Sequence, residues 1–171
     1  AFAEDKSCVY FNASPAADFD MLAAFRRCAR EQFEGLDTEG GYADIFRQIN
    51  MRQEAPAVFV FEEFQNIVKA DASFMGAVTD LGERKAMVIL VSASVLWVEN
   101  SMVKSIGRAA YSINAFIKLK ELGYADMVGM FPESDTRNSL YMYAVTGGVP
   151  GYLEAWNARE NVKSNVCRLF L

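Results

Sequence analysis

The residues best suited to chemistry sit at the ends of two apolar runs. Ala57-Val58-Phe59-Val60-Phe61 closes on the adjacent carboxylates Glu62 and Glu63, and Met87-Val88-Ile89-Leu90-Val91 closes on Ser92-Ala93-Ser94. Two carboxylates at the end of a buried strand suit magnesium binding and the polarisation of a water beside a phosphoryl group. A serine on a neighbouring strand, about 4.8 Å away, can share a water with such a carboxylate. Nowhere in the 171 residues, however, is there a G-x-x-x-x-G-K-[ST] segment to cradle phosphates. The suggested chemistry is one this stretch of chain is not equipped to complete alone.

Composition removes several alternatives. The chain has no histidine, which excludes serine-histidine and cysteine-histidine hydrolase mechanisms and removes the commonest zinc ligand. Cys8, Cys28 and Cys167 are far apart and lack C-x-x-C spacing, so ordinary buried thiols are expected rather than a zinc site or a disulfide framework. Seventeen basic against twenty-two acidic residues give a formal charge of −5, which disfavours sequence-independent nucleic acid binding. No apolar run reaches the roughly 18 to 20 residues of a membrane span, and the N-terminus lacks a basic-then-apolar leader pattern. A cytoplasmic protein without membrane contact is therefore expected. With 52% hydrophobic residues, one domain or one domain plus an appendage can bury a substantial core.

The elements that must position these residues read as alternating strands and helices. Ser7 to Asn12 is a first strand; Asp18 or Asp20 caps a helix carrying Leu22, Phe25, Ala29 and Phe33; a second helix runs from Tyr42 to about Arg52. Pro56 introduces the strand ending at Glu62-Glu63, and Phe74, Val78 and Leu81 mark a helix before the Met87 strand. Neither central strand alternates polar with apolar, so both are expected to be buried on both faces, as in a parallel α/β sheet. Phe59, Phe61, Phe64 and Phe74 then belong to the core. A weaker strand is expected at Arg108 to Ile113. From Ala115 onward the pattern turns helical, less clearly over Asp126 to Phe131, and Asp135 or Ser139 starts a helix carrying Leu140, Tyr143 and Ala144. Tyr141, Tyr143, Tyr152 and Trp156 are expected to pack between those helices.

Thr146-Gly147-Gly148-Val149-Pro150-Gly151-Tyr152-Leu153 is similar to the GGxPxYL element of archaeal and bacterial AAA+-like ATPases of the STAND class, also called DEXX-box ATPases. Three further elements follow the family's order: the acidic strand end Glu62-Glu63-Phe64-Gln65, the small polar strand end Ser92 to Ser94, and Ile106-Gly107-Arg108. The resemblance implies a parallel P-loop-NTPase-like sheet flanked by helices, with the first strand and P-loop absent. Residues 1–114 would form a partial nucleotide-binding core and residues 115–171 a C-terminal helical cap. It also implies that the absent strand belongs between the strand ending at Val91 and the one near Ala110. That gap would be closed by direct pairing of those two strands, by a neighbouring chain or by a further segment.

The same resemblance implies roles residue by residue. Glu62 stands where the family has a magnesium-binding aspartate, a departure that displaces the carboxylate by one methylene. Glu63 matches the water-activating glutamate. Ser92 and Ser94 match the region that senses the γ-phosphate, with helix capping as the alternative. Arg108 matches an arginine facing the γ-phosphate of its own or a neighbouring site, with a surface ion pair as the alternative. Gly148 and Pro150 match residues lying against adenine, with helix initiation sufficient to explain the proline. ATP and Mg2+ are the implied ligands, and a protein partner or self-association is compatible with the family. The expected function is the ATP-binding, ATP-hydrolysing core of a regulatory ATPase, unable to hydrolyse ATP as an isolated piece. The alternative is a non-catalytic ATPase-like interaction module, and a third reading is a phosphohydrolase using Glu62 and Glu63 directly.

Overall fold

The computed structural model describes residues 7–13, 20–37, 39–52, 57–82 and 86–171. Asp18 and Pro56 lie outside them. The chain divides into two compact units, Ala1–Ala115 and Phe116–Leu171.

The first unit is α/β. Its strands β1 (Cys8–Asn12), β2 (Val58–Glu62) and β3 (Met87–Val91) form a parallel sheet in the order β1-β2-β3, with Asn12, Glu62 and Val91 level at one end. Helices α1 (Met21–Gln32) and α2 (Tyr42–Met51) separate β1 from β2, and α3 (Phe64–Ala70) and α4 (Phe74–Gly82) separate β2 from β3. Asp20 caps α1, its carboxylate accepting from the Ala23 N–H at 3.0 Å. Strand periodicity puts Val9, Phe11, Phe59, Phe61, Val88 and Leu90 on one face. On it, Phe46 packs edge-on to Phe59 and Phe61, Phe74 packs edge-on to Phe61, and Phe25 packs edge-on to Phe11. Phe64 is buried too, against Trp97.

The two edges of this sheet differ. The Tyr10 N–H donates to Gln32 Oε1 at 3.0 Å and Gln32 Nε2 donates to the Tyr10 carbonyl at 3.1 Å, so a side-chain amide occupies the outer edge of β1. Among the described residues β3 has no such cover. Met87 donates to the Ala57 carbonyl, which turns Val88 and Leu90 backbone groups outward, and no strand beyond β3 pairs with them among the described residues. The expectation that β3 is buried on both faces is therefore corrected: Met87 is 47% and Val91 39% exposed.

Beyond β3 come the short helices α5 (Val95–Asn100) and α6 (Met102–Ile106), then a 3-10 helix over Gly107–Ser112. The expected strand at Arg108 to Ile113 does not form, so direct pairing with β3 does not close the sheet. Without a partner ladder its backbone groups find local partners instead, as in the Ile113 N–H to Ala110 carbonyl bond.

The second unit is helical. Residues 113–123 carry no regular structure, a correction to the helix expected from Ala115, and Phe116, Ile117 and Leu119 are exposed there. The less clear stretch is helical: α7 spans Tyr124–Met130, with the Asp126 carboxylate accepting from the Gly123 N–H at 3.2 Å. Asp135 caps α8 (Thr136–Thr146), and α9 (Pro150–Glu154) and α10 (Val162–Phe170) follow. Met127, Met142, Leu153 and Trp156 form the core; Tyr143 packs against Tyr124, and Tyr152, though partly exposed, packs edge-on against Phe170 of α10, whereas Tyr141 is exposed. Asn165, fully buried, accepts from the Asn157 N–H and Arg168, and its amide donates to the carbonyls of Asn157, Glu160 and Asn161.

Two stability predictions follow from these environments. Asn165→Asp substitutes acceptors for donors opposite three carbonyls and should cost about 3 kcal/mol, read as lost hydrogen-exchange protection in α10 with the sheet unaffected. Tyr42 is buried among Phe25, Phe46 and Phe74 with no partner for its hydroxyl among the described residues, and burial, then the charges of Asp71 and Asp20, push its pKa far up. A raised folded pKa contributes stability below the unfolded value of about 10 that is lost as pH rises above it. Because the buried hydroxyl lacks a partner among the described residues, Tyr42→Phe should stabilise the fold at neutral pH by about 1 kcal/mol, read from the urea midpoint, and, by removing the titrating group, flatten the alkaline loss of stability.

Candidate functional site

β2 ends at Glu62, and the next residue turns the chain directly into α3. Glu63 does so in the left-handed region, with φ 55 and ψ 38, and among the described residues it is the one non-glycine at positive φ. Such a conformation costs about 1–3 kcal/mol and persists where the surroundings over-determine it. Here they do. Glu63 Oε1 accepts from the Ala93 N–H at 3.3 Å, Oε2 accepts from Gln65 Nε2, and the Glu63 carbonyl accepts from the Asn66 N–H at 2.9 Å. Asn66 Nδ2 in turn donates to the Ala13 carbonyl at 2.8 Å, tying the start of α3 to the end of β1.

The loop after β3 meets this carboxylate. Ser94 N–H donates to Ser92 Oγ at 3.1 Å, and although Ser94 precedes α5 its side chain makes no capping bond. Glu63 and the Ser92–Ser94 loop thus converge beyond the carboxyl ends of β2 and β3, where open parallel sheets bind ligands.

Glu62 goes elsewhere. Tyr10 Oη and Asn12 Nδ2 both donate to Glu62 Oε2, the latter at 3.0 Å. The register places all three residues on the face opposite Phe59 and Phe61. The hydrogen bond to Glu62, followed by burial and the carboxylate's charge, raises the Tyr10 pKa. Adjacent carboxylates therefore diverge, which weighs against a phosphohydrolase that uses both at one point. Magnesium takes one or two carboxylates with waters and phosphate oxygens in tight octahedral geometry. Glu62, already engaged by two donors, does not fit that role as it stands, and no group of three or more histidine, cysteine or acidic residues able to hold a metal occurs among the described residues.

The remaining candidates are not drawn into the cluster. Arg108 is exposed on the 3-10 helix with no ion pair among the described residues. Gly148 and Pro150 belong to the second unit and have local explanations. Gly148 has φ 75, its carbonyl accepts from the Leu122 N–H at 2.9 Å, and a Cβ there would lie 2.1 Å from the Leu122 carbonyl oxygen. Pro150 opens α9 at its first turn. A shallow cavity between α2 and α4, lined by Ala43, Phe46, Arg47, Ala77, Asp80 and Leu81, includes none of the candidates.

The thiols are free, but only Cys8 and Cys28 are partly buried, and burial raises both pKa values; Cys167 is exposed, a correction to the expectation of three buried thiols. Sequence reasoning missed Gln65, Tyr10 and Asn12. Their signals were a polar residue on the first turn of an apolar helix and polar residues at period two on β1.

No helix among the described residues is long and apolar enough to cross a membrane. Comparison with protein-family models, with curated proteins and with solved structures finds no match to this chain. The site is therefore read from its own geometry.

Because Gly148 is explained by close backbone approach, Gly148→Ala should destabilise the second unit by about 2 kcal/mol whether or not nucleotide is present. Thermal unfolding with and without ATP checks this; a loss confined to the ATP-bound sample would instead assign the glycine to binding.

Proposed function

We propose that this chain is the hydrolytic part of a cytoplasmic, STAND-type regulatory ATPase, with Glu63 as the residue that activates water. The observation that carries this reading is the Glu63 carboxylate, held in a strained turn at the end of β2 and joined to the loop after β3. In the proposed reaction Glu63 takes a proton from a water as that water bonds to the γ-phosphorus of ATP. The bond from γ-phosphorus to the bridging oxygen breaks, giving ADP and phosphate. Arg108, exposed and without an ion pair among the described residues, is available to face the developing charge, a role worth about 10³ to 10⁵ in rate. Magnesium bound to the nucleotide would supply charge neutralisation at the phosphates, without a ligand from Glu62 as it is held here. The phosphate cradle and the strand that β3 lacks are supplied from outside these 171 residues. Ser92 and Ser94, in the loop that meets Glu63, are the residues proposed to border the γ-phosphate.

One observation favours a second reading. Glu62 is tied to Tyr10 and Asn12 rather than open to a metal, as expected of an ATPase-like module retained for contacts with a protein partner or a second copy.

Turnover separates the two. In the full-length polypeptide carrying this chain, magnesium-dependent ATP hydrolysis should fall about 10²-fold or more in Glu63→Gln, with ATP affinity retained. A wild type that neither binds nor hydrolyses Mg-ATP would leave the interaction module as the function.

A further inference from the structure

We propose that Gln65 is the positioning residue for Glu63, an inference that rests on the hydrolytic reading and extends it to a residue without an assigned role. Gln65 is the second residue of α3 and is only 5% exposed. Its Nε2 donates to Glu63 Oε2, and this fixes the orientation of the amide, because a carboxylate can only accept. Gln65 Oε1 is thereby left buried with no donor among the described residues.

A buried carbonyl without a donor is a cost that a leucine or methionine at this position would not carry. The amide therefore contributes little to folding, and what it provides is an N–H aimed at one oxygen of Glu63. The Ala93 N–H holds the other oxygen at 3.3 Å. Between them the carboxylate is fixed from its own helix and from the loop after β3, so it has neither to search rotamers nor to swing towards Tyr10 and Asn12, where Glu62 is bound. The left-handed backbone of Glu63 makes this possible, since it folds the side chain two residues ahead back onto the carboxylate. Preorganised groups held by neighbouring hydrogen bonds react faster without binding substrate more tightly, so the signature is in kcat and not in KM.

The test uses the full-length polypeptide with ATP and magnesium, comparing wild type, Gln65→Met, Gln65→Ala and Glu63→Gln. Gln65→Met keeps length and removes the donor. Its kcat should drop about tenfold or more, KM for ATP should stay within about twofold, and its urea midpoint should be at or above that of the wild type. A merely structural glutamine would lower the urea midpoint and leave kcat in place. Unchanged kcat in Gln65→Met and Gln65→Ala, alongside a Glu63→Gln that has lost turnover, overturns the positioning role and leaves the hydrolytic reading standing. Undiminished turnover in Glu63→Gln, or none in the wild type, overturns both. Independently of activity, the Gln65 side-chain amide protons should be protected from exchange and lose that protection in Glu63→Ala; an unprotected amide in the wild type overturns the positioning role alone.

Discussion

β2 is hydrogen-bonded on both sides, and its register decides what each strand end can reach. Phe59 and Phe61 must both point at the aromatic face built by Phe46 and Phe74, because a slip of one residue would turn them to the opposite side and bring Val58 and Val60 in. That packing fixes the direction of Glu62, which alternation sends towards Tyr10 and Asn12. A second acidic side chain can reach the β3 side only by leaving the strand. Glu63 does so through the left-handed turn that starts α3, held by its hydrogen bonds with Ala93, Gln65 and Asn66.

Where one signal dominated, the elements were legible in the sequence. β1, β2 and β3 are short apolar runs, α1, α2 and α4 place aromatic or branched residues at helical spacing, and Asp20 and Asp135 are caps whose geometry matches their type. Arg108 to Ile113 was misread because β propensity describes fitness for a ladder, and this segment closes into a 3-10 helix instead of pairing with the open edge of β3. Residues 113–123 have apolar residues that mimic helical spacing, yet Phe116, Ile117 and Leu119 remain exposed. The convergence of Glu63 with Ser92–Ser94 could be read from two strand ends, whereas the divergence of Glu62 required the register with β1, and the clamp from Gln65 required the turn itself. Long-range pairing and a single unusual dihedral leave little trace in composition.

The sheet's asymmetry bears on the same site. β1 has its outer edge occupied by Gln32, whose carboxamide both donates to and accepts from Tyr10 as a neighbouring peptide would. An exposed strand is a liability that proteins blunt with charge, proline or cover, and Met87-Val88-Ile89-Leu90-Val91 carries neither charge nor proline. A strand added in parallel along Val88 and Leu90 would end level with Val91, beside Ala93, whose N–H already holds Glu63. The unpaired edge and the strained carboxylate thus share one boundary, so on the proposed reading a segment that completed the sheet would bring the residues after it beside the Ser92–Ser94 loop. The loop Ser92–Ser94 joins the two features, anchored to the Glu63 carboxylate on one side and continuous with the open strand on the other.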